Sequence, residues 1–149
     1  EKELSFIKSQ MDQFVQQWVA HKQELKAGWE LRYDRFILVG VDESLTPVSG
    51  CSIDNLIHNL KRLQEQLDTQ IVNTHDRVYF RDVSNHIQCV ERPKFKELVE
   101  IGSVTADTVV FNNTIQTVRE LRQGLWEIPM SKSWHWQAFS KYLTALPNQ

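Results

Sequence analysis

The chain has 149 residues, 41% of them hydrophobic and 24% charged, with a formal charge of −2 and a pI near 6.2. That length fits one domain able to bury roughly two-thirds of its unfolded surface without a metal or disulfide staple. The charge gives no global attraction to nucleic acid or anionic lipid, and no apolar run approaches the roughly 20 residues a membrane helix needs.

The first residues lack the basic-then-apolar pattern of a signal peptide, and no initiator Met is present. Leu4, Ile7, Met11, Phe14, Val15 and Trp18 recur at steps of three and four. They predict an amphipathic helix over residues 3–26, with Gly28 as its stop. Trp29, Leu31 and Tyr33 then alternate with Glu30, Arg32 and Asp34, as in a strand with one wet face. After a break at Asp34-Arg35, the segment 36–41 is apolar on both faces and predicts a central, covered strand.

Pro47 and Gly50 mark a loop over 44–50. Ile53, Leu56, Ile57, Leu60, Leu63 and Leu67 define a second helix, with Ser52 as the expected N-cap and the 36–41 strand beneath it. Segments 77–82 and 86–91 read as a hairpin around Val83-Ser84-Asn85. Pro93 suits the first turn of a short helix ending before Gly102. A strand over 108–111, a helix over 114–122 ending at Gly124, and a last helix over 133–146 stopped by Pro147 complete the order. The pattern predicts a single α+β domain with a mixed or mainly antiparallel sheet packed with amphipathic helices.

Five blocks carry a resemblance: Trp18-Val19-Ala20-His21, Arg32-Tyr33-Asp34-Arg35-Phe36, Ser49-Gly50-Cys51-Ser52-Ile53-Asp54, Val110-Phe111-Asn112-Asn113 and Ser133-Trp134-His135. Together they resemble a family of short Bacteroidetes proteins often labelled "ABC transporter ATPase". The resemblance implies a bacterial, cytoplasmic protein, and because members of that family begin with an additional stretch before the first helix, it implies that this chain lacks a short amino-terminal strand. It carries over no catalytic residue. An ATPase of that kind needs a glycine-rich loop ending in Gly-Lys-Ser/Thr to cradle phosphates, and this sequence has no Gly-Lys pair.

The sharpest chemical feature is the turn at Ser49, Gly50 and Ser52, where backbone N–H groups at a helix start could meet an anion. Cys51 sits in the same turn, where the helix dipole favours a thiolate. Its nearest histidine in sequence, His58, falls on the opposite helix face, which leaves His21 or His135 as a candidate base. Asp54 reads as a first-turn carboxylate that offsets the dipole. Asp42 and Glu43 end the covered strand, a rigid and open place for carboxylate chemistry. His75, His86 and Cys89 show no metal-ligand spacing, and neither a metal nor a cofactor is expected. Cys51 and Cys89 are expected as free thiols. Trp134 lies outside the last helix's apolar stripe of Trp136, Phe139, Leu143 and Leu146, so it either caps the core or lines a pocket.

Two functions follow. The first is a non-catalytic protein that binds a protein or small-molecule partner, through Ser49, Gly50, Ser52 and Trp134. The second is a small enzyme using Cys51, Asp42 and His135. In either case Asp42, Glu43, the 49–54 turn and one of His21 or His135 are expected to border one concavity, with Trp134 on its rim.

Overall fold

The computed structural model describes residues 1–72 and 74–143, and divides the chain into two compact units, Glu1–Thr74 and His75–Gln149. The protein is α+β, with antiparallel sheets and helices packed on them. Among the described residues no helix is long and apolar enough to cross a membrane.

In the amino-terminal unit, α1 (Lys2–Gln17) ends where its apolar stripe ends, nine residues short of the predicted boundary at 26. Trp18 is extended, with φ −73° and ψ 128°, and its indole N–H donates to the Ser52 carbonyl at 2.7 Å. That bond turns the chain away from the helix axis. β1 (Val19–Ala20) and β2 (Gln23–Glu24) then pair across His21 and Lys22, both in the left-handed region. A two-residue hairpin requires this conformation, and sequences usually supply it with Asn-Gly.

Gly28 lies inside β3 (Lys26–Arg32), so it stops no helix. β3 pairs in full register with β4 (Phe36–Asp42), from Lys26↔Asp42 to Arg32↔Phe36. The break at Asp34 is the hairpin turn, with Tyr33 and Asp34 at φ 56° and 54°. β4 is not a central strand: among the described residues it pairs with β3 alone, and its apolar residues are half-buried. Ile37, Val39 and Val41 face the core, whereas Phe36 and Leu38 share the face of Glu30 and Arg32, whose side chains form a salt bridge at 3.0 Å. An apolar run on both faces therefore marks a half-covered ribbon here.

α2 (Gly50–Leu67) packs through Leu56, Leu60 and Leu63 against Met11, Trp29, Ile37 and Val39. Ile57, expected in that interface, is 37% exposed. The cap is Ser49 instead of Ser52. Ser49 Oγ accepts from Ser52 N at 3.1 Å, and Ser52 Oγ accepts from Ser49 N at 2.7 Å. Ser52 is thus the N3 partner of a reciprocal capping box, using Ser where Glu or Gln is usual.

In the carboxy-terminal unit, β5 (Arg77–Arg81), β6 (Ile87–Glu91), β7 (Val109–Phe111) and β8 (Glu127–Pro129) form an antiparallel sheet in the order β6-β5-β7-β8. The hairpin turns at 83–85, where Asp82 Oδ1 accepts from the backbone of Ser84 and His86. α3 (Arg92–Glu100) carries Pro93 in its first turn, as expected. Phe95 and Val99 from α3 close a core with Val78, Phe80, Val104, Val110, Met130 and Phe139.

Two predicted helices are shorter than their periodicity implied. α4 (Val118–Arg122) starts only after Thr117, whose side chain accepts from Glu120 N. The preceding residues are held by Asn112, whose side chain accepts from the backbone and hydroxyl of Thr114. β8 was not expected; it is followed by a 3₁₀ turn, Met130–Lys132. α5 (Trp134–Phe139) gives way to a second 3₁₀ turn, Ser140–Tyr142. Leu146 and Pro147 lie outside the described residues.

Candidate functional site

The predicted site residues fall in both units: His21, Asp42, Glu43 and the 49–54 turn in the first, His135 and Trp134 in the second. In the first unit the polar groups of the turn are already engaged. Ser49 and Ser52 satisfy one another, with the Ser52 hydroxyl also donating to the Ser49 carbonyl at 2.8 Å. Cys51 is free and exposed at the second helical position, and His58 lies two turns further along the same helix. Asp54 is exposed and stands beyond the first turn, so the dipole role assigned to it lapses.

Asp42 and Glu43 shape the loop ahead of α2. Asp42 Oδ1 accepts from Ser44 N at 3.0 Å, and Lys26 Nζ lies 3.9 Å from Oδ2. Hydrogen bonds from Ser44, with a smaller contribution from Lys26, hold the Asp42 carboxyl below the usual range. Glu43 Oε2 accepts from Val48 N at 3.0 Å, closing the loop. Both carboxylates serve the backbone.

His135 is 1% exposed, and its Nδ1 lies 2.6 Å from Ser133 Oγ. Trp134 stacks on it with ring centroids 3.8 Å apart, and the Arg92 guanidinium lies 5.0 Å over the Trp134 ring. Burial, reinforced by the nearby Arg92 charge, lowers the imidazole pKa to about 4. The ring is therefore neutral at pH 7. It pairs with a hydroxyl and packs near Phe95, a role of structure rather than proton transfer. Trp134 caps the core between this imidazole and Arg92. Among the described residues no three His, Cys, Asp or Glu side chains gather where a metal ion could be shared.

The feature that the sequence did not single out is a cleft of about 300 Å³ in the amino-terminal unit. One wall is apolar: Phe14, Trp18 and Val19, at the end of α1 and the start of β1. Phe14 and Trp18 are tilted against each other with centroids 5.2 Å apart. The indole N–H is committed to Ser52, so this wall offers no free donor from Trp18. The other wall is Asn55, His58, Asn59 and Arg62, at i, i+3, i+4 and i+7 along α2, with Gln17 at the rim. This spacing places all four on one helix face.

Asn59 is the unusual member. It is 8% exposed, and among the described residues its Oδ1 accepts only a long bond from Arg62 Nη2, at 3.4 Å. Its Nδ2 is enclosed and has no hydrogen-bond partner among the described residues. Leaving such a donor unsatisfied costs about 1–3 kcal/mol. One other enclosed donor shares this condition, Arg77 Nε on β5.

A polar stripe at helical spacing is ordinarily a solvated face, so the sequence alone could not separate Asn59 from its neighbours. The signal lies in the early end of α1, which brings Phe14 and Trp18 against that stripe. Comparison with known protein families, curated proteins and solved structures finds no match.

Proposed function

We propose that this chain is a bacterial cytoplasmic binding protein whose amino-terminal unit holds a small ligand in the cleft between α1 and α2. The carrying observation is Asn59: a buried amide with an unmatched donor, on a residue lining a concavity that pairs aromatic rings with polar groups. Ligand sites commonly combine apolar surface with a few polar groups whose hydrogen bonds are completed on binding. The volume lies at the low end of the range for small-molecule sites. Catalysis is the weaker reading, because Asp42 and Glu43 are engaged by the backbone and His135 is buried against Ser133.

Asn59→Leu separates a binding role from a structural one. The change keeps the side chain's shape and removes the orphan donor, so stability should rise by about 1–3 kcal/mol in denaturant unfolding. The same variant should lose binding. A panel of small acids, amides and amines at millimolar concentration should contain members that move backbone resonances of 14–19 and 55–62 in the parent chain and not in the variant. A destabilised variant, together with a silent panel, would make Asn59 a packing residue and refute the proposal.

A further inference from the structure

We infer that the cleft selects an organic monoanion, a carboxylate carried on a flat apolar body about one ring in size; this rests on the ligand-binding reading above. The charge of the lining is the first reason. Among the described residues it holds one guanidinium, one imidazole and three side-chain amides, and no carboxylate. A cation would enter against Arg62 with nothing opposite to meet it. A phosphate dianion would find one permanent charge and carry its second negative charge into a partly desolvated site.

A carboxylate matches one guanidinium in charge and in its planar, two-pronged geometry. Arg62 is exposed, is tethered by a single 3.4 Å bond, and makes no salt bridge among the described residues. Rotating it onto a carboxylate sacrifices only that long bond to Asn59 Oδ1. A carboxylate oxygen then accepts from Asn59 Nδ2 while Arg62 holds the other oxygen. The opposite wall fixes the rest of the molecule. Phe14, Trp18 and Val19 present rings and a branched aliphatic group with the indole donor already used, so the body they cover is apolar. The space of about 300 Å³ limits that body to a small one.

Benzoate, its neutral analogue benzamide and inorganic phosphate test the three parts of this assignment on the whole chain. The readouts are the Trp18 indole N–H and the Asn59 side-chain amide in proton–nitrogen correlation spectra. Benzoate should shift both signals saturably and bind at least about tenfold more tightly than benzamide or phosphate, as a charge-assisted pair requires. Arg62→Gln should weaken benzoate by a similar factor and leave benzamide unchanged. Since Arg62 is exposed, signals remote from the cleft should stay in place and report an intact fold. Benzamide binding as tightly as benzoate, or an Arg62→Gln chain that binds benzoate normally, overturns the anion assignment and leaves the cleft a binding site. Phosphate binding more tightly than benzoate overturns the carboxylate assignment. If none of the three probes moves either signal, both the selectivity and the binding reading fall.

Discussion

The residue whose chemistry folding changes most is His135. In the unfolded chain its imidazole takes up a proton near pH 6.5, whereas in the core it resists protonation down to about pH 4. The folded form thus binds fewer protons than the unfolded form as pH falls between those values. Its contribution to stability is complete above pH 6.5 and is lost as pH falls toward 4. Unfolding free energies measured by denaturant at pH 7, 5.5 and 4 should show about 2 kcal/mol more loss for the parent than for His135→Gln. Parallel curves for the two chains would contradict the burial argument. At this scale the sequence was only partly legible. Ser49 and Ser52 are both plausible caps by residue type, and only the backbone shows that Ser49 is extended while Ser52 already lies within the helix. Trp134 is recognisable in the sequence as a residue that the apolar stripe does not need. That the imidazole itself is inside, with Trp134 over it, depends on how Arg92 and Phe95 of α3 approach, which no local pattern encodes.

Among the elements, α2 is the one whose periodicity and packing agree best. Leu60 and Leu63 are buried with Met11, and Leu56 is half-buried against the same cluster. Leu60→Ala should cost about 2–5 kcal/mol in denaturant unfolding, the range for a buried leucine, and Ile57→Ala about 1 kcal/mol or less. Equal losses at the two positions would show that α2 is docked by a different face. Long-range periodicity made α1, α2 and the 77–91 hairpin readable. One boundary differs because a hydrogen bond to a distant residue ends the element early. α1 stops because the Trp18 indole reaches Ser52, far along the chain. The α4 start is fixed by Thr117 with Glu120, a local capping signature present in the sequence, with the polar turn at Asn112 ahead of it. β8 is three residues long, too short for alternation to register. The cleft was invisible for the same reason as the end of α1: its aromatic wall exists only because the helix stops there.

Taken as a whole, the molecule divides its apolar residues among separate clusters, Met11 and Trp18 anchoring those of the first unit and Phe95 that of the second. Its five glycines are dispersed, with no phosphate-cradling loop and no Gly-Lys-Ser/Thr segment. ATP with Mg²⁺ should therefore leave the melting temperature unchanged. A ligand at a hundred times its Kd would add about 2.7 kcal/mol, ample for a thermal shift to register. A clear Mg²⁺-dependent shift would contradict this expectation. The sheet of the second unit has a different consequence, one that concerns time. Its inner strands are β5 and β7, joined at Phe80↔Val110, and the chain between them includes β6 and the whole of α3. β6 returns to β5 through a short turn and can zip in about 1–10 μs, while β7 must first close a long loop whose entropy is spent before any contact repays it. β8 in turn joins β7 only after α4 has been accommodated. The strands at the middle of this sheet in space are thus joined late in folding, after one edge has already formed.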